Sequence, residues 1–144
     1  MIWAVVAVVL GGVAVAVQAP INAALGREIG AIVPAAAVSF GVGLLVLVAV
    51  ALLTGQAGAF LKLGAVPPWL LVGGVLGAVY VISAIWGVSQ LGVVTMVAAL
   101  ILGQMATAMV IDSTGILGMA VREITFQRIA AAGLVAAGLV LSRL

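Results

Sequence analysis

Residues 34–53 read PAAAVSFGVGLLVLVAVALL, with no charged side chain and a single hydroxyl, Ser39. A helix that crosses the hydrocarbon core of a bilayer needs about 20 such residues. The strands of an outer-membrane barrel would alternate apolar and polar positions. Here the apolar run is continuous, and a helix satisfies its own backbone in lipid, so the stretch reads as a transmembrane helix. Pro34 suits a first helical turn, and Thr54-Gly55-Gln56-Ala57-Gly58 closes the run.

The same reading extends outward over the whole chain. Of 144 residues, 67% are hydrophobic and 6% are charged, against roughly a quarter charged in ordinary globular domains. A soluble fold of this size could not cover its outside with so few polar residues. Four further spans are expected at about 2–22, 69–90, 93–112 and 126–144. Between them lie a polar turn at Arg27-Glu28-Ile29-Gly30, a loop carrying Lys62 that leads to Pro67-Pro68, a tight connection at Leu91-Gly92, and a longer loop from Ser113 to Glu123. The fold class is therefore all-α integral membrane, a single unit over 1–144 with five transmembrane helices and termini on opposite sides. The last span is short, its apolar core running from Ile129 to Leu141.

Several function classes fall away on composition. Cysteine and histidine are absent, which removes thiolate metal sites, disulfides and the usual proton shuttle. No nucleophile–base pair and no phosphate loop exists, so enzymatic chemistry is not expected and nothing calls for a cofactor or metal. The five basic residues are scattered, which is no nucleic-acid footprint. Met1-Ile2-Trp3-Ala4-Val5 has no basic n-region, so no cleaved signal peptide is expected.

Lys and Arg concentrate in cytoplasmic loops and set topology. In a five-span chain the N-terminal side carries Lys62, Arg122 and Arg128, and the other side Arg27 and Arg143. That is close to no bias. One reading is a single orientation; the other is insertion both ways, with pairing to an inverted copy. Small residues recur at Ala35, Ser39 and Gly43, at Gly73, Gly77, Ala84 and Gly87 with Tyr80 in the same 4-3-4-3 spacing, and at Gly133 and Ala137. Such stripes let helix backbones approach in lipid.

Polar side chains at membrane depth face a partner or a cavity, and this chain has few. Gln18 and Asn22 lie one turn apart with Pro20 between them. Proline removes a backbone donor and clashes with the carbonyl four residues back, so the helix is expected to kink or break there. Broken helices beside carboxamides line many transporter sites; the alternative is that the amides only satisfy freed carbonyls. Gln104 falls near the middle of the fourth span, and Asp112, two turns on, is the one acidic residue bordering a span. A carboxylate there could couple transport to a proton, or it could merely form a turn with Ser113-Thr114-Gly115. Tyr80, Ser83 and Trp86 offer hydroxyls and an aromatic ring for an organic substrate. Trp3 and Trp69 fall at span ends, where interfacial anchoring explains them.

Five segments, taken in order, resemble one known family. They are Gln18-Ala19-Pro20-Ile21-Asn22-Ala23-Ala24-Leu25-Gly26-Arg27, Val38-Ser39-Phe40-Gly41-Val42-Gly43, Trp69 through Val81, Gly103-Gln104, and Ile111-Asp112 with Gly115-Ile116-Leu117-Gly118. Together they resemble the YdcZ-like family, a five-helix branch of the drug/metabolite transporter superfamily. Ser113-Thr114 and Glu123 depart from its pattern, which has a histidine or aromatic residue and a proline there.

The resemblance implies half of an inverted-repeat transporter in the bacterial inner membrane, completed by a second copy as an antiparallel homodimer or by a paralogue as a heterodimer. It implies a secondary transporter, an exporter of small organic metabolites or drugs, working by alternating access. A non-transporting membrane subunit or a passive pore is the competing expectation.

Overall fold

The computed structural model describes residues 2–144. Among them are five α-helices, α1 (Ile2–Ile29), α2 (Ile32–Leu53), α3 (Val72–Leu91), α4 (Val93–Thr114) and α5 (Phe126–Leu141), and no strand. Four helical segments are long and apolar enough to cross a membrane: α1, α2, Pro68–Leu91 and α4. The fifth helix is also apolar in character but has 16 residues.

Two boundaries differ from the sequence expectation, each for a local reason. The first helix does not stop at Asn22; it continues to Ile29 through Ala23-Ala24-Leu25, all good helix formers. Gly30 ends it with φ of 76°, the left-handed conformation that closes helices. The helix also passes through Pro20 without a break. One lost amide donor leaves the rest of the ladder intact, and in lipid no water competes for those hydrogen bonds. On the other side of the second span, the loop carrying Lys62 is not irregular: Ala57–Ala65 winds as a 3-10 helix. Pro68–Leu71 forms another tight turn before α3 takes up regular α-helical bonding at Val72.

The chain forms two compact units, one running to Ser89 and the other from Gln90. In the first, Gly30 and an extended Ala31 turn α1 back into α2. Ala23, Ala35, Ala36, Val81 and Ile85 make the core, with Leu25, Ile32, Tyr80, Ile82 and Val88 packed around it. Glycines sit at close contacts: a Cβ built on Gly26 would lie 3.6 Å from that of Ala35, and one on Gly77 would lie 3.4 Å from the Phe40 ring. Lipid tails give helices no hydrophobic reason to associate, so close backbone approach supplies the attraction instead. That packing is confined to the turn end of the hairpin. Every described residue of α1 before Ala16 is exposed, as are Leu44, Leu45, Val46 and Leu47 of α2.

In the second unit α4 and α5 pair as antiparallel helices. Gly115, with φ of 66°, caps α4 by donating its N–H to the Ile111 carbonyl at 2.9 Å. A side chain at Gly115 has no room, since its Cβ would meet Val121 Cγ2 at 2.7 Å. The following loop returns close enough for the Arg122 N–H to donate to the Asp112 carbonyl at 2.7 Å.

Candidate functional site

The α1 carboxamides are not equivalent. Asn22 is buried at 5% exposure, beside Ala19, Ala23 and Gly26, whereas Gln18, one turn earlier, is exposed and Pro20 half-buried. The difference arises because the buried stripe of α1 begins at Ala19, and Gln18 is the residue just before it. Among the described residues, no side-chain hydrogen bond reaches either amide or that of Gln104.

The three α3 positions fall on different faces. Tyr80 is half-buried and packs against the core cluster. Val81, Ala84, Ile85 and Gly87 form the buried face of the helix. Ser83 and Trp86 lie off that face, and Trp86 is 59% exposed. The structure therefore brings Tyr80 to the core and leaves Ser83 and Trp86 on the outer surface of the unit.

In the second unit Gln104 is exposed on α4. Asp112 does not cap the turn that follows it. Its Oδ2 accepts a hydrogen bond from Arg128 Nη1 at 2.9 Å, with both side chains about a third exposed. The Ser113 and Thr114 hydroxyls instead donate back to the Val110 carbonyl at 3.1 and 2.7 Å. At the far end of the same helix pair, the Thr95 and Ser142 hydroxyls lie within hydrogen-bond distance at 3.1 Å, Ser142 Oγ donating to the Leu139 carbonyl at 2.7 Å, and Thr95 is buried.

Sequence reasoning treated Arg128 as a topological charge and passed over Thr95 and Ser142. The signal was present in the spacing. Asp112 near the end of one helix and Arg128 near the start of the next must meet if the helices pair antiparallel, and Thr95 and Ser142 then meet at the other end.

The family model described as "Putative inner membrane exporter, YdcZ" matches residues 3–141. No curated protein and no solved structure matches the chain.

Proposed function

This chain belongs to the YdcZ family of inner membrane exporters and is a multi-pass inner membrane protein, and we propose that it is a secondary transporter of small organic metabolites or drugs, working as an antiparallel dimer by alternating access. The reading counts α5 as a fifth span. It is pinned to α4 by Asp112–Arg128 at one end and Thr95–Ser142 at the other. From Thr95 to Asp112 the paired length is about 26 Å at 1.5 Å per residue. That is close to the thickness of a hydrocarbon core, about 30 Å.

The observation that carries the dimer is the exposure of Gln18 and Gln104 on the surface of spanning helices in a single chain. A carboxamide facing lipid has nothing to bond, so such groups turn to a partner or a watered cavity. A second copy supplies the cover, and the near-even basic residues favour an inverted one. In that arrangement Asp112 of one copy lies near the membrane face at which α1 of the other ends, with both Gln104 side chains near the midplane.

Gln18 and Gln104 then hydrogen-bond the substrate, and Ser83 and Trp86, exposed on α3, offer it a hydroxyl and an aromatic ring, while Asn22 and Tyr80 stand behind them in the packed face. Asp112 takes up a proton in exchange for its bond to Arg128, which couples the cycle. Pro20 leaves the Ala16 carbonyl without its partner and gives α1 a place to flex.

A thermal-shift screen of the purified chain against metabolites and drugs identifies a substrate for transport assays. In proteoliposomes the proposal expects saturable uptake of that compound with counterflow. Flux that never saturates would make the chain a pore. No flux at all, from a well-folded protein, would make it a subunit of something else.

A further inference from the structure

A cavity of about 500 Å³ opens at the turn end of the first unit, where α1, α2 and α3 converge. Its lining includes Gly26, Ala31, Pro34 and Ile85, and the residues with polar side chains along it are Arg27 and Ser89. Arg27 stands in the last turn of α1, at the charged Arg27-Glu28 end of its apolar run, where a helix of 28 residues, longer than the hydrocarbon core, reaches the headgroups.

Arg27 is exposed, and among the described residues no carboxylate lies within ion-pair distance of it; the one ion pair there is Asp112–Arg128. Its guanidinium is a fork of donors matched to phosphate oxygens. The Ser89 hydroxyl donates to the Ile85 carbonyl at 3.1 Å, so it is left to accept a hydrogen bond. Beside the cavity, Ile29 and Val33 are exposed apolar side chains, continuous with the lipid-facing surface of α1 and α2.

We propose that this cavity binds one anionic phospholipid from the surrounding bilayer, with its phosphate on Arg27, a headgroup hydroxyl donating to Ser89, and its acyl chains along the outer faces of α1 and α2. The site is separate from the transport residues, and it stands or falls without them. Charge complementarity selects the lipid: one unpaired cation at headgroup depth, in an otherwise apolar recess that a chain-bearing molecule can enter from the side.

The test uses the full chain in detergent, with phosphatidylglycerol and phosphatidylcholine of identical acyl chains as probes, read by native mass spectrometry. The expected result is at least a tenfold preference for phosphatidylglycerol, lost in Arg27→Gln, partly kept in Arg27→Lys and unchanged in Arg143→Gln. Equal binding of the two lipids overturns the proposal, as does a preference that survives Arg27→Gln. So does displacement of the lipid by inorganic phosphate at matched concentration, which would make the site one for free anions. A second measurement needs no variant. Photoreactive phosphatidylglycerol should mark peptides containing Ala23–Pro34 or Ile85–Ser89 in the unmodified chain, and adducts confined elsewhere contradict the site.

Discussion

At the scale of single residues, the few polar groups of this chain divide into those that find a partner within it and the carboxamides of its spans that do not. Asp112 is the clearest of the first kind, because its carboxylate meets Arg128 instead of the turn beside it. An ion pair that solvent still reaches contributes about 0–1 kcal/mol, so Arg128→Gln should leave the fold intact. It should change how transport responds to pH if Asp112 exchanges Arg128 for a proton. Asp112→Asn should then abolish accumulation driven by a proton gradient while exchange of substrate persists; an unaltered pH profile in both variants would leave the pair a helix fastener. Gln18→Ala and Gln104→Ala are expected to lower transport roughly tenfold each, about one hydrogen bond, with expression unchanged. Normal transport in both would move the substrate site elsewhere. The identities of these residues were legible in the sequence, since a carboxamide in an apolar run is conspicuous. Their burial was not. Whether Gln18 or Asn22 is covered depends on how far packing extends up the hairpin, which local spacing does not encode.

At the scale of elements, apolar run length located the helices, and errors fell at their ends. Arg27-Glu28 looked like a turn because charges usually sit outside spans, yet a helix can project beyond the hydrocarbon core and carry charges at headgroup depth. The glycine three residues beyond Arg27 was the better stop signal. The small-residue stripes were partly informative. Ala35, Ala84 and Gly87 are buried, whereas Gly133 and Ala137 of α5 stand exposed. Ala35 has no exposed surface, so Ala35→Leu should overpack the α1–α2 contact and cost about 1–3 kcal/mol, measured as unfolding in mild detergent. A change of no more than a few tenths would mean that the hairpin tolerates separation at its turn. The native chain has no cysteine, which makes span mapping direct. Cysteines placed at Leu45 or Val97 should resist an aqueous thiol reagent, while one at Gln56 should react. If α5 crosses the membrane, cysteines at Thr125 and Arg143 must also react from opposite faces.

At the scale of the whole molecule, the near-even placement of Lys62, Arg122 and Arg128 against Arg27 and Arg143 follows from the order of residues and spans alone. The exposure of Gln18 and Gln104 follows from how the helices pack. On the proposed reading a second copy covers the exposed amides, and the charge distribution admits an inverted one. Adding two lysines near Leu91 should force one orientation and remove transport from a chain expressed alone. The most direct measurement places a single cysteine at Gln56 and labels sealed vesicles from outside with an impermeant thiol reagent. An antiparallel homodimer predicts that about half the molecules label at once and the remainder only after permeabilisation, in keeping with the near-even charges. Labelling from one side only, in vesicles that still transport and contain no paralogue, would contradict it.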